Sequence, residues 1–346
     1  MKQRLSIIII LTVIAVGTLY ALDKTSNAPN QHKNGFKRMF LPIKASIVAV
    51  RKYDFSFHEL SGRKGDSLFL MTGYPGEVFC ISMDLKKMHS FKLEDPEIPF
   101  LVPRFYSLVE YPQITILGGN AEFMANGNLE TGKTSKAKTF IPGPYGNPVK
   151  IKDRTFVMKM VDTTSLNACF VKMNDNGAVI GRGNKILLPL RDAGMIQSGM
   201  LRYDSISDKL IFMHFYDNGI DVFDTDLENN LPFHTIDTNV TQKIKVLRKG
   251  KAVSYAKAPT AVNGHCEIFD GNLYVRSKLK ADNENNDQFF NNTVIDKYDL
   301  KDGKYQGSFY LPKTGSKQIG QFYFLDQNKV LAIYENSLII YTLKTL

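Results

Sequence analysis

The chain has 346 residues, 43% of them hydrophobic, with 23 Phe and 16 Tyr but no Trp, which excludes a disordered chain and suits a large core of sheet type. Its three cysteines, Cys80, Cys169 and Cys266, are odd in number and far apart, and no CxxC or Cys/His spacing occurs, which excludes a full disulfide framework and a zinc module. The formal net charge of +10 bears on partners and not on fold.

In chain order, Lys2 and Arg4 precede an uncharged apolar run from Leu5 to Leu22, closed by Asp23 and Lys24. A short basic flank before such a run is export chemistry and places the remainder of the chain outside the cytoplasm. The run is near the minimum for spanning a bilayer and long for a signal-peptide core. Neither Ala15-Val16-Gly17 nor Leu19-Tyr20-Ala21 offers a good cleavage site, and no Cys comes after it to take a lipid. Residues 1–24 are therefore expected to be an uncleaved signal anchor, with a cleaved signal peptide as the alternative. The expected address is the periplasmic side of the inner membrane, or secretion if the segment is cleaved. Residues 25–38 read as a polar tether and residues 39–346 as one domain.

That domain shows no helical spacing over more than two turns, only short alternating or apolar runs between turn residues, so it is expected to be all-β. A unit repeats: a strand, a tight polar turn, a second and more apolar strand. It appears as 55–63 with 67–72, 104–109 with 114–117, 148–151 with 155–161, 200–206 with 210–216, 265–269 with 273–279, and 321–325 with 330–334. The turns lie roughly 40 to 65 residues apart, room for four short strands per unit. A third strand comes after each pair, and an outer fourth is marked by apolar-Pro endings in Phe140-Ile141-Pro142, Leu187-Leu188-Pro189 and Tyr310-Leu311-Pro312. Proline suits an outermost strand, where a backbone donor can be spared. The pattern predicts a six-bladed β-propeller. Seven blades is the alternative, since Ile47 to Val50 could be an extra strand.

The chain ends on a third strand, Ser337 to Leu343, and Phe40-Leu41-Pro42 carries the outer-strand signature before the first unit. The N-terminal segment is thus expected to pair with the C-terminal blade and close the ring. Six units of this length in an exported chain resemble the TolB-like six-bladed propellers of bacterial envelopes. The resemblance covers residues 39 to 346 as repeat architecture and carries over no functional residue.

Gly127 to Thr134 matches GxxxxGK[ST], but no helix fits between it and Pro142, Gly143 and Pro144, so it reads as a Gly-rich hairpin and not a phosphate loop. Asp282 to Asp287 alternates oxygen-bearing side chains yet lacks the Gly and Glu of a calcium loop; calcium stays a minor alternative to no cofactor and no metal site. Asp217, Asp221, Asp224 and Asp226 flank the turn signal Asn218-Gly219 and read as turn and surface residues. Lys243, Lys245, Arg248, Lys249, Lys251 and Lys257 run without an intervening acid. This run could meet anionic lipid or an acidic partner, and an exported address argues against nucleic acid.

Propellers gather function where loops ring one mouth of the channel. Strand order places His58, Arg104, Tyr145, Asn147, Gln197, Arg202, His265 and Gln318 at that face, with Tyr74, Asn120 and Tyr216 from the second loop set. No catalytic constellation is recognisable. The favoured function is a non-enzymatic binding or scaffold module for an envelope protein or peptide. One alternative is a lactonase-type hydrolase with calcium in the channel, for which Asn147, Asp204 and Glu267 are available. Another is a redox subunit resembling the propeller chains of quinone-cofactor amine dehydrogenases.

Overall fold

A computed structural model describes residues 11–21, 33–94, 105–119, 123–135, 138–139, 144–240, 244–250, 252–315 and 318–346. Six four-stranded antiparallel sheets make a six-bladed β-propeller. Blade 1 runs from Glu59 to Lys92, blade 2 from Phe105 to Thr139, blade 3 from Tyr145 to Gly183, blade 4 from Gly199 to His234 and blade 5 from Asn263 to Pro312. Blade 6 takes its three inner strands from Gln321–Asp326, Lys329–Tyr334 and Ser337–Thr345, and its outer strand from Ile43–Lys52.

The second strands show why this sequence stacks sheets. In Ser67–Met71, Leu68 and Leu70 pack toward blade 6 while Phe69 and Met71 pack toward blade 2. Side chains alternate across a strand, so a run that is apolar at every position buries both faces. The result is six apolar clusters, one between each pair of neighbouring blades. Phe170, Phe212 and Phe223, all fully buried, meet between blades 3 and 4. Burial of such a side chain stabilises by roughly 2 to 3 kcal/mol relative to exposure.

Ring closure uses the N-terminus as expected, but not through the predicted tripeptide. Ile43–Lys52 pairs antiparallel with the last strand, Ile43 opposite Thr345 and Lys52 opposite Ser337. Ile47 to Val50 thus belong to the closing strand and not to a seventh blade. Phe40 instead bridges Ser308 on the outer strand of blade 5, and the Leu41 N–H donates to the Ser308 carbonyl at 2.8 Å. The apolar-Pro signature is likewise a poor marker of outer strands. Tyr305–Pro312 does end on it, but Ile186 and Leu187 lie beyond the outer strand Val179–Gly183 and plug the core between blades 3 and 4. Phe140 to Pro142 lies outside the described residues.

Behind the closing strand sits a buried ion cluster. The Arg38 guanidinium pairs with Glu284, with Asp296 at 2.8 Å and with the Ser277 hydroxyl at 2.7 Å. The Asp282 carboxylate accepts from the Asn34 N–H, the Asn283 side chain accepts from the Arg38 N–H, and Asn285 caps the short helix Asn286–Asn291. The oxygen-rich segment weighed for calcium is therefore spent on holding the N-terminal segment.

Gly127 to Thr134 forms the hairpin expected of it: Asn128 ends the third strand of blade 2, and its side chain accepts from the N–H groups of Glu130 and Thr131. Cys80 and Cys169 are buried in the third strands of blades 1 and 3, and Cys266 in the inner strand of blade 5; all three are free thiols. Residues 11–21 are helical, while the rest of the apolar N-terminal run lies outside the described residues. Among the described residues no helix is long and apolar enough to cross a membrane.

Candidate functional site

Inner strands of an antiparallel propeller run the same way, so the molecule has two distinct ends. One, the connector end, carries the blade-to-blade links and the turns between second and third strands. The other, the hairpin end, carries the turns between inner and second strands. A cavity of about 360 Å³ occupies the channel and is lined by inner-strand residues of all six blades, among them Glu59, Ser107, Asn147, Arg202, Glu267 and Tyr323. It reaches Glu110, Lys150 and Tyr203, which stand beside the turns of the hairpin end.

Neighbouring blades are tied to one another around this cavity. Ser61 and Ser107 hydroxyls meet at 2.5 Å between blades 1 and 2, and Lys150 pairs with Glu110 between blades 2 and 3. The Asn147 amide donates to the Gly199 carbonyl at 2.9 Å, and Arg202 Nε donates to the Cys266 carbonyl at 3.0 Å. Gln321 donates to the His58 carbonyl at 2.7 Å and accepts from the Tyr323 hydroxyl at 2.6 Å. Between blades 5 and 6, His265 meets the rings of Phe322 and Tyr323 edge-on at 5.1 Å. Inner strands are short of apolar partners at the axis, and hydrogen bonds between blades satisfy their polar groups there.

Arg202 is the electrostatic centre. Its guanidinium lies 2.9 Å from His265 Nε2 and 3.6 Å from a Glu267 oxygen, and the Arg202 and Glu267 side chains keep about a fifth of their surface open, 23% and 20%. Because a guanidinium can only donate, Nε2 accepts from it, while the Phe322 N–H points at Nδ1 from 3.5 Å. Burial, together with the charges of Arg202 and Arg276, pushes His265 well below the usual imidazole range, so the ring is neutral at neutral pH. Burial pushes Glu59 up to about 7, opposed by the Ser107 N–H and by Arg202. It pushes Glu267 up to about 7 as well, opposed by Arg202 and Arg63. The channel therefore holds two carboxyl groups raised well above the ordinary carboxylate range.

Toward the connector end, Arg276 is a half-buried cation whose Nε is buried with no hydrogen-bond partner among the described residues. Burial lowers it to about 10. Gly264 makes its room: a Cβ there would stand 2.3 Å from that Nε.

Of the residues placed at the mouth by strand order, Asn147 and Arg202 line the cavity, and His265 touches it through Arg202. His58 has an exposed side chain; its N–H donates to the Met71 carbonyl at 2.8 Å and its carbonyl accepts from Gln321. Tyr145 is buried between blades 2 and 3. The Gln197 carbonyl accepts from the buried ammonium of Lys159, and Tyr216 packs edge-on against Tyr255. Tyr74 and Gln318 are exposed and away from the cavity lining. Arg104 and Asn120 lie outside the described residues. Glu59, Ser107, Glu110, Lys150 and Tyr323 escape a reading by strand order; for Ser107, Glu110 and Tyr323 the signal is a polar group inside a largely apolar inner strand, while Glu59 and Lys150 lie in strands of mixed polarity.

The acids around Asn218-Gly219 do more than turn the chain. His214 lies between Asp217 at 3.1 Å and Asp221 at 2.9 Å. Burial alone would lower the imidazole, but the two carboxylates raise it to about 9, so it is a charged structural pin.

No protein-family model and no curated protein sequence matches the chain. Solved structures do. A member of the DUF4221 family from Bacteroides vulgatus superposes with a TM-score of 0.55 at 11% identity, covering 88% of this chain and 99% of that one. A putative exported protein from Bacteroides fragilis gives 0.53 at 10% identity over 88% and 95%. A luciferin-regenerating enzyme gives 0.51 at 10% identity over 87% and 95%. At such identities the likeness is one of fold, and the fold hosts both enzymes and proteins without assigned activity.

Proposed function

We propose that this chain is an extracytoplasmic binding propeller of the bacterial envelope, similar to the TolB-like group, that receives a peptide or protein segment in its channel. The reading rests on one observation: the cavity presents two desolvated carboxylates, Glu59 and Glu267, which share the Arg202 guanidinium as a counter-charge. A lysine or arginine side chain entering the channel would stabilise both carboxylates in their ionised form. The signal-anchor reading of residues 1–24 and the likeness to an exported protein support the address.

A photo-crosslinking amino acid at Val149, on the cavity wall, tests this in the native envelope, with the same group at the exposed turn residue Asn328 as control. The expected result is a discrete adduct at Val149 only, lost when Glu59→Gln and Glu267→Gln are combined. An adduct that ignores the double substitution, or none beyond the control, removes the reading.

A catalytic reading has one observation in its favour, since a carboxyl group held near 7 suits general acid-base work. The calcium-hydrolase version fits the residues poorly. Asn147 and Glu267 reach the cavity, but the Asp204 carboxylate is occupied by the N–H groups of Ile206 and Ser207 and by the Ser207 hydroxyl. Nothing beyond the fold supports the quinone-dependent version.

A further inference from the structure

The basic run carries a built element, although its Lys243 and Lys251 lie outside the described residues. Val246–Lys249 and Ala252–Tyr255 pair as a two-stranded hairpin inserted in the connector between blades 4 and 5. It is pinned on the connector end by three bonds. The Tyr255 hydroxyl donates to the Met195 carbonyl at 2.8 Å and meets the Tyr216 hydroxyl at 3.2 Å, and Arg248 donates to the Leu190 carbonyl at 3.0 Å. Lys245, Arg248, Lys249 and Lys257 stay exposed on it, and no acid occurs between Val240 and Val262. Among these cations stand bare apolar side chains: Leu247 is 60% exposed, and Leu188, in the loop that receives Arg248, is 62% exposed.

The N-terminal segment enters the ring at the same end. The Asn34 carbonyl accepts from the Thr238 hydroxyl at 2.8 Å, and Thr238 lies in the connector that leads into the hairpin. Eleven residues, 23 to 33, separate Asn34 from the apolar run, a reach of under about 40 Å even fully extended.

We infer that the hairpin docks the connector end of the propeller onto anionic phospholipid headgroups of the bilayer that holds the anchor. The orientation rests on residues 1–24 acting as that anchor. Cations beside exposed leucines match a surface that is negative outside and apolar within. Each basic residue near such a surface strengthens binding about fivefold, and tethering raises the effective concentration of the patch, so a few residues suffice. Docked this way, the ring turns its hairpin end, with Glu110, Lys150 and Tyr203 at the cavity rim, away from the membrane.

The test uses the full chain with an environment-sensitive fluorophore on Ser254→Cys in the hairpin or on Asn328→Cys at the opposite end. The native thiols are buried and stay unlabelled. Vesicles of phosphatidylcholine, with or without about one third phosphatidylglycerol, carry a spin-labelled quencher lipid; the ratio sets a clear surface potential. The inference expects quenching at Ser254→Cys on anionic vesicles alone, suppressed by half-molar salt and lost in K245E/K249E/K257E with unfolding unchanged. Equal quenching on neutral vesicles, equal quenching at Asn328→Cys, or none on anionic vesicles overturns it. Flotation with neutral vesicles reads the anchor separately. A chain that fails to float yet quenches on anionic vesicles keeps the docking and removes the anchor.

Discussion

Glu59 shows how a single carboxyl group can serve a site at the expense of the fold. Its folded value near 7 lies above the ordinary 4.5, so the native state holds the proton more tightly than the unfolded chain does. Stability is then fullest below about 4.5 and falls as pH rises toward 7, the sign opposite to that of an ion-paired acid. Glu59→Gln, which cannot ionise, is expected to be more stable than the parent at pH 8 by about 1 to 2 kcal/mol, a figure reduced for its partial exposure, and no different at pH 4. Urea unfolding at the two pH values decides; equal stability at pH 8 means the carboxylate is solvated. The sequence points to its neighbour His58 and not to Glu59, because strand order gives the end of the channel but not which of two adjacent side chains turns inward. Asn147 and Arg202 are legible because polar residues at inner-strand positions have few places to go but the axis.

At the scale of elements, inner and second strands are readable to within a few residues, the inner strand of blade 1 being Glu59–Lys64 against an expected 55–63 and that of blade 3 Tyr145–Ile151 against 148–151. Their turns carry Gly, Asp and Asn, and their second strands are mostly apolar, Lys159 being an interior exception: Thr155–Val161 and Lys329–Tyr334 match the expected runs to within one residue. Outer strands are not, because they pair on one edge only and need little sequence signal. Lys138–Thr139 and Phe233–His234 are two residues each. The closing strand Ile43–Lys52 is held by pairing on one side and by the Arg38 cluster at its base. Removing one partner of a buried ion group leaves the others uncompensated and costs about 3 to 5 kcal/mol. Arg38→Met is expected to lose stability on that scale in chemical unfolding, while E284Q/D296N alongside it recovers a large part. A loss below about 1 kcal/mol, the scale of exposed pairs, would mean that the cluster is solvated in the native protein.

For the whole molecule, closure by the N-terminus makes the two chain ends one structural unit. Deleting residues 1–33 is expected to leave a single cooperative melting transition unchanged, since no described strand or ring bond of blades 1 to 6 is lost. Deleting residues 1–52 removes the Arg38 cluster and the outer strand of blade 6, exposes the free edge of Ser337–Thr345, and is expected to give a broad or multiphasic transition and association through that edge. Calorimetry and light scattering of the two truncations check this, and a sharp monomeric transition in the shorter chain would place closure elsewhere. The blade count is legible because the repeat is carried by inner hairpins in every unit, whereas the cavity is not, being a property of six strands converging from separate parts of the chain.

The three buried thiols give this ring a built-in clock. Cys80, Cys169 and Cys266 fall in alternate blades, 1, 3 and 5, and in three different interfaces: Cys80 and Cys169 pack against the two faces of blade 2, and Cys266 against blade 4. None needs an oxidant to complete the fold, so the native ring forms equally in reducing and oxidising surroundings. Each becomes reactive only when its own sector opens, and the order in which they take up an alkylating reagent would record the sequence in which the circle comes apart.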